Sequence, residues 1–182
     1  KSAGKKLVCL DSYLNNPGVY EIDMGTSMKK IFNEIGGGYK EPVKAFQIGG
    51  PLGGVVPLKE IDNLNLDFQE FNSKGFMLGH ASIVSIPKDF PMTEYIHHLF
   101  EFSAEESCGK CFPGRLGSYR GKEMFDQAKK KTAKIPIKLL NELLVTMQKG
   151  CLCALCGAIQ TPIMNILKYF GDEMKNDMVK DN

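Results

Sequence analysis

The pattern of hydrophobic and polar residues changes near the middle of the chain. Between about residues 5 and 87, short apolar runs are separated by turns rich in glycine, asparagine and proline, which predicts short strands. From Pro91 onward, apolar residues recur every three or four positions, as on one face of a helix. The change predicts two domains, residues 1–88 and 89–182, and an α+β fold class.

The first domain is predicted to contain a small sheet and one short helix. Turn-forming residues between Asn15 and Gly18 separate two apolar runs and predict a hairpin. Thr26 or Ser27 is suited to begin the helix, because a hydroxyl side chain caps free N–H groups, and the glycines at 36–38 end it. We assign the glycine-rich segment 49–54 to tight turns. The predicted strands are residues 6–10, 19–24, 45–48, 55–57 and 76–86.

The second domain is predicted to be a small four-helix bundle, because its helical segments are joined by short links. Pro91 is well placed at the start of the first helix. Of the adjacent His97 and His98, one is predicted to face the core and the other the solvent, because neighbouring helical positions point in different directions. The polar tail, 172–182, is predicted to be frayed. The other helices are predicted at 116–128, from 136 onward, and after 162.

Composition and charge exclude several classes of function. The chain has 182 residues, of which 43% are hydrophobic, and a formal net charge of +2. So small a charge gives no electrostatic reason to expect nucleic-acid binding. No segment approaches the roughly 20 apolar residues of a membrane-spanning helix, and the first residues lead into a strand rather than a signal peptide. The sequence therefore predicts a cytoplasmic protein without membrane insertion.

Cysteine is the most informative residue type. Cys9 lies in an apolar run, where a free thiol behaves as a small hydrophobe, and we expect it in the core. Clustered thiols in a chain without a secretory signal indicate metal ligation rather than a disulfide framework. The remaining cysteines form two tight groups: Cys108 and Cys111, then Cys151, Cys153 and Cys156.

The two groups have the spacing of a metal site. A Cys-x-x-Cys loop allows two sulfur atoms to face one centre, Gly109 relieves crowding of the backbone, and the second group closes a tetrahedral set. Soft thiolates select an iron-sulfur cluster or zinc. Spacing does not separate these two, and free thiols are a third interpretation. No acid, base or nucleophile is predicted as a catalytic residue.

The cysteine segments also resemble a known family. Residues 104–115, AEESCGKCFPGR, and residues 152–155, LCAL, resemble the C-terminal half of the NADH-binding flavoprotein of respiratory complex I and related NAD-linked hydrogenases and formate dehydrogenases. Upstream, residues 16–21, 24–26 and 47–54 resemble that family's β-grasp (SLBB) domain. The resemblance implies a β-grasp-like SLBB domain at 1–88 and an iron-sulfur-binding helical bundle at 89–182.

The resemblance also implies a set of metal ligands. In the family, a Cys-x-x-Cys-x-x-Cys loop and one distant cysteine bind a 4Fe-4S cluster. Three positions match, but Gly114 stands where the third cysteine of the loop belongs. Because the family usually has glycine at the position of Cys156, we expect Cys156 to replace the missing ligand. The ligand set implied is Cys108, Cys111, Cys153 and Cys156.

Two alternatives to this ligand set stay open. Cys151 competes with Cys156 for the fourth position, and a three-cysteine site would hold a labile or three-iron cluster. Lys110 and Arg115 flank the first cysteine pair, where positive charge stabilises a reduced cluster, and they are candidates for tuning its potential.

The function implied by the resemblance is electron relay from NADH-reduced FMN through the 4Fe-4S cluster. The domain that binds FMN and NADH lies N-terminal in the family and matches nothing here. We therefore interpret the chain as a C-terminal fragment of a longer flavoprotein, with a shortened paralogue as the alternative, and expect no NADH oxidation from it alone. The expected partners are other subunits of a redox complex, peripheral to the membrane in the case of complex I. The competing hypothesis is a non-redox assembly module whose cysteine site is degenerate or holds zinc.

Overall fold

The computed structural model describes residues 2–179 and divides the chain into two compact units. The first unit ends at Asp89 and the second begins at Phe90. Helices and strands both contribute, so the α+β class is confirmed. None of the helices within residues 2–179 combines the length and apolar character that a bilayer crossing requires.

The first unit is built from two small antiparallel sheets and short helical segments. One sheet is a hairpin of β1 and β2, in which Val8 faces Tyr20. The other has the order β4-β3-β5. The Asp11 carboxylate accepts hydrogen bonds from both the backbone N–H and the hydroxyl of Ser85, which ties the end of β1 to β5. The strands are β1 (Lys5–Leu10), β2 (Gly18–Asp23), β3 (Val43–Ile48), β4 (Gly54–Pro57) and β5 (Ile83–Pro87).

The helices of the first unit are short, and side chains cap the first turns of α1 and α3. The Ser27 side chain accepts a hydrogen bond from the backbone N–H of Lys30, as the sequence predicts, and α1 continues into a π-helical segment at Ile31–Ile35. Asp67 caps α3 by accepting from the N–H of Glu70. The helices are α1 (Met28–Lys30), α2 (Leu58–Ile61) and α3 (Phe68–Ser73).

Two predictions for the first unit are wrong. The strand predicted at 76–86 begins only at Ile83, because Ala81 has a φ of 65° that interrupts an extended backbone. Cys9 is exposed rather than buried: side chains alternate along β1, so Val8 and Leu10 face the core and Cys9 faces solvent.

The second unit is predominantly helical. Helices α4 and α5 pack against each other, and the buried His97 of α4 lies 2.7 Å from the carboxylate of Asp126 on α5. His98 is exposed, so one of the two adjacent histidines faces the core and the other the solvent, as the sequence predicts. A Cβ at Gly121 of α5 would lie 2.2 Å from the ring of Phe100, so the two helices approach closely at this point. The helices are α4 (Met92–Glu105), α5 (Ser118–Lys129), α6 (Ile137–Gly150), α7 (Ala154–Gly157) and α8 (Gln160–Phe170).

The tail from residue 172 to residue 179 is folded, contrary to the prediction. The Glu173 carboxylate accepts from the N–H of Met92, and the Asp177 carboxylate accepts from the hydroxyl of Thr93, so both anions hold the start of α4. Met174 is completely buried. The tail ends in a short parallel pairing of β6 (Ile135–Pro136) with β7 (Met178–Val179); the remainder of the predicted frayed segment, 180–182, lies outside the described residues.

Candidate metal centre

The first cysteine loop, residues 108–114, follows the end of α4. Gly109 has a φ of 71°, which glycine adopts without steric cost, and its N–H donates to the hydroxyl of Ser107. A π-helical segment, Pro113–Gly117, then leads into α5, and the N–H of Arg115 donates to the carbonyl of Cys111. The buried hydroxyl of Ser118 donates to the Gly114 carbonyl at 2.8 Å. The loop is therefore held at both ends by helices.

The second cysteine loop, residues 151–156, follows the end of α6. The N–H of Cys151 donates to the carbonyl of Met147, which extends the last turn of the helix. Cys153 precedes α7, and its backbone carbonyl accepts a hydrogen bond from the N–H of Gly157. Cys156 lies on α7 and is only 3% exposed. A short helix thus turns the Cys156 side chain inward.

The two loops bring three sulfur atoms to one place. The sulfur atoms of Cys111, Cys151 and Cys156 all lie within 4.8 Å of one another. The Cys111 and Cys156 sulfurs are 3.7 Å apart although the residues are 45 positions apart in sequence, and Cys151 forms a disulfide with Cys156. The long-range convergence predicted from the sequence is therefore present.

Backbone N–H groups surround the Cys111 sulfur. The N–H groups of Leu152, from the second loop, and of Gly114, from the first, donate to it and hold the pKa of the Cys111 thiol below its usual value. Hydrogen bonds of this kind stabilise a thiolate, which is the form that binds a metal.

Gly114 lies directly beside the sulfur atoms. A Cβ at this position would be 2.9 Å from the Cys111 sulfur and 3.0 Å from the Cys156 sulfur. Residue 114 is the position that carries a cysteine in the resembled family. A side chain there would therefore point at the place that the Cys156 sulfur occupies here. A side chain at residue 114 and the sulfur of Cys156 compete for one space.

The structure places the predicted ligands unequally. Cys111 and Cys156 belong to the three-sulfur group, whereas Cys108 and Cys153 are exposed and lie outside it. Cys151, the competing candidate, lies within the group. Lys110 and Arg115 are both exposed.

The sequence pairs the missing cysteine at Gly114 with the added Cys156, but it does not predict that residue 114 lies directly beside the Cys156 sulfur.

The Cys111 and Cys156 sulfurs fit a thiolate-bound metal group once the Cys151–Cys156 bond is reduced. They come from two segments, Cys156 is buried, and the N–H groups that point at Cys111 suit a negatively charged ligand. Soft sulfur donors select iron-sulfur clusters or zinc over harder cations.

Comparisons with known proteins agree with this chemistry. Residues 94–177 match the model of the NADH-ubiquinone oxidoreductase-F iron-sulfur binding region, which indicates a 4Fe-4S cluster and confirms the family resemblance. The chain is 30% identical over 175 residues to the NADP-reducing hydrogenase subunit HndC of Solidesulfovibrio fructosivorans, covering 94% of this chain and 36% of that protein. It is 29% identical over 179 residues to the mitochondrial NADH-ubiquinone oxidoreductase 51 kDa subunit of Aspergillus niger, covering 96% and 36%.

Solved structures share the fold. A crystal structure of an NAD+-reducing NiFe-hydrogenase in the H2-reduced state matches 98% of this chain and 30% of the hydrogenase chain, with a TM-score of 0.85 and 22% sequence identity. This chain therefore spans only about a third of the length of the relatives it matches.

Proposed function

Since residues 94–177 belong to the iron-sulfur binding region of the NADH-ubiquinone oxidoreductase-F family, we propose that this chain relays electrons through a 4Fe-4S cluster held by its two cysteine loops. The observation that carries the proposal is the meeting of Cys111 with Cys156, whose sulfur atoms come from distant segments and lie 3.7 Å apart. When bound, such a cluster supplies a one-electron redox centre.

The ligands we propose are Cys108, Cys111, Cys153 and Cys156. With Cys156 included, each loop carries a Cys-x-x-Cys pair, so each supplies two sulfurs at the spacing that suits one centre. The space beside Gly114 supports Cys156 as the replacement ligand, because a cysteine at 114 and Cys156 would bring sulfur to the same point.

The protein's own groups set the properties of the centre. The N–H groups of Leu152 and Gly114 would hold charge on the Cys111 sulfur and favour the reduced state of the bound group. Lys110 and Arg115 add positive charge on the first loop. No acid or base is needed, because electron relay moves no proton at these residues.

The wider context of the relay is also a proposal. Electrons would come from NADH-reduced FMN bound in a part of the longer relatives that this chain does not span, and would pass to other subunits of a redox complex. We assign residues 1–88 to an SLBB β-grasp-like domain and 89–182 to an iron-sulfur-binding four-helix bundle. The cytoplasmic location, peripheral to the membrane, stays a proposal from the sequence.

A ligand exchange between the loops tests the proposal. In the 182-residue chain reconstituted under anaerobic conditions, Cys156→Ser should lose most of its iron and inorganic sulfide. The exchanged variant Gly114→Cys/Cys156→Gly should recover the parent content, because its new sulfur reaches the same space. Cys9→Ser, exposed in the first unit, is the matched control and should change nothing.

Two results would contradict the proposal. Iron and sulfide content in Cys156→Ser equal to the parent would exclude Cys156 as a ligand. One zinc per chain, with no inorganic sulfide in the parent itself, would favour a non-redox assembly module, which the three converging sulfurs also accommodate when they are reduced.

A further inference from the structure

We propose that Cys151 protects the metal centre: when the centre is empty, Cys151 forms a reversible disulfide with Cys156, and reduction of that bond releases Cys156 for ligation. The role of Cys156 as a ligand rests on the proposed function; the disulfide itself does not. Cys151 thereby gains a function of its own as a fifth thiol beside a four-ligand site.

The first argument is the backbone geometry of the second cysteine loop. Cys151 and Cys156 are joined by a disulfide, with Cα atoms 6.0 Å apart, which lies within the range that disulfides span without backbone movement. Cys151 is fixed at the end of α6 by its N–H bond to Met147, and Cys156 is fixed on α7. The two helices therefore hold the thiols at bridging distance.

The second argument is the short separation along the chain. Only five positions separate Cys151 from Cys156, so little chain entropy is lost when the bond closes. Cys111 also lies 3.7 Å from the Cys156 sulfur, but it is 45 positions away and reaches Cys156 only when both loops are docked. In an empty and loosened site, Cys151 remains close to Cys156 while Cys111 does not.

The third argument is the difference in exposure between the two sulfurs. Cys156 is 3% exposed, whereas Cys151 is half-buried. A thiolate reductant attacks the accessible sulfur of a disulfide, so it would attack Cys151 and release Cys156 as the free thiolate. Cys156, the ligand that the disulfide protects, is therefore released as the thiolate that binds metal.

The redox step balances with a thiol-disulfide couple. Closing the bond removes two electrons and two protons from the Cys151 and Cys156 thiols and transfers them to a small-molecule disulfide such as oxidised glutathione, which becomes two thiols. Opening reverses this: a dithiol supplies two electrons and two protons and becomes a disulfide, leaving both cysteines reduced.

Thiol mapping of the metal-free 182-residue chain tests the inference. The chain is equilibrated with oxidised glutathione, alkylated and digested with trypsin, which cuts after Lys149 and Lys168 and leaves Cys151, Cys153 and Cys156 in one peptide. We expect that peptide to contain an internal Cys151–Cys156 bond, with Cys153 either alkylated or carrying glutathione. The other free cysteines, Cys9, Cys108 and Cys111, should likewise be alkylated or carry glutathione, and none should be joined to Cys156.

Reconstitution with iron and sulfide gives the second readout. Without a dithiol the oxidised parent should take up the cluster more slowly than after reduction, because only sulfide is then present to open the disulfide, whereas Cys151→Ser should take up the cluster at once and reach the same final content. The control variant Cys9→Ser should behave like the parent.

The outcomes separate the two proposals. Full alkylation of the peptide in oxidised glutathione, a Cys111–Cys156 bond in its place, or loss of the cluster in Cys151→Ser would overturn the protective role of Cys151. An internal Cys151–Cys156 bond in a chain that binds no cluster after reduction would support the disulfide and contradict the electron-relay proposal instead.

Discussion

The glycine-rich segment of the first unit and the first cysteine loop of the second unit use glycine for different reasons. Gly49 has a φ of 97°, and a Cβ there would lie 2.4 Å from the carbonyl oxygen of Leu78, so the backbone itself requires glycine. Gly114 has no such φ, and its Cβ would instead meet the sulfur atoms of Cys111 and Cys156. One glycine is required by the fold and the other by the site.

The difference shows how two similar sequence features are told apart. Both segments contain glycine next to chemistry-bearing or turn-forming residues. In the first unit the close neighbour is protein backbone, which leaves no room for a ligand. In the second unit the neighbours are cysteine sulfurs, which we propose as metal ligands. Substitution by alanine should therefore separate stability from metal content.

Gly49→Ala should have the largest effect on stability. The added methyl group meets a backbone carbonyl, and the positive φ is strained for alanine, so we expect the free energy of unfolding to fall by roughly 2–3 kcal/mol. Denaturant unfolding measures this decrease in the free energy of unfolding. Gly25→Ala is the matched control, because its φ of 89° is similar but its Cβ would meet nothing within 4 Å. Equal losses in the two variants would show that backbone contact with Leu78 is unimportant.

Gly121→Ala should have the next largest effect. Alanine favours a helix over glycine by about 1 kcal/mol, but its methyl group would meet the fully buried ring of Phe100 and force α4 away from α5. We expect a net loss of about 1–2 kcal/mol in thermal or denaturant unfolding. The double variant with Phe100→Leu should cost less than the sum of the single variants; strict additivity would argue against this contact.

Gly114→Ala should change stability by less than about 1 kcal/mol and metal content by much more. Its methyl group occupies the space between the Cys111 and Cys156 sulfurs, so the reconstituted chain should hold clearly less iron and sulfide than the parent. The folded fraction of Gly49→Ala should retain its iron. Normal iron content in Gly114→Ala would remove the distinction between the two glycines.

Asp126→Asn should have the smallest effect, and one that depends on pH. Burial raises the pKa of the Asp126 carboxyl, but the hydrogen bond with His97 and the charge of Lys122 outweigh it, so the pKa lies below its usual value. The carboxylate therefore stabilises the fold above about pH 4, and this contribution is lost as the pH falls through the folded-state pKa.

The variant and its parent should consequently differ in unfolding midpoint at neutral pH and converge in acid. Glu123→Gln is the control, because Glu123 is exposed and pairs only with Arg120 among the ion pairs of the described residues. A difference between Asp126→Asn and parent that persists unchanged at pH 3 would contradict the role assigned to the ionised carboxylate.

Local patterns predicted most of the helices and strands. The three- and four-residue spacing of apolar positions located α4 and α6, and proline marked their starts at Pro91 and Pro136. The ordered tail could not be predicted, because its order depends on carboxylates of Glu173 and Asp177 that meet the start of α4 about 80 positions away. Such contacts leave no periodic signal.

The sequence predicted the type of site but not the position of each cysteine in it. Clustered thiols and the family resemblance predicted that the two loops meet, and Cys111 and Cys156 do. The proximity of Cys151 depends on how α6 ends and α7 turns, which spacing does not encode. The exposed positions of Cys108 and Cys153 likewise follow from loop conformation, and their role as ligands stays a prediction.

The most direct test of the central claim is the metal and sulfide content of the anaerobically purified or reconstituted 182-residue chain, with its visible spectrum. We expect about four irons and four inorganic sulfides per chain and a broad absorbance near 400 nm that bleaches on reduction. A colourless protein that has all its thiols reduced and binds zinc or no metal at all would contradict it.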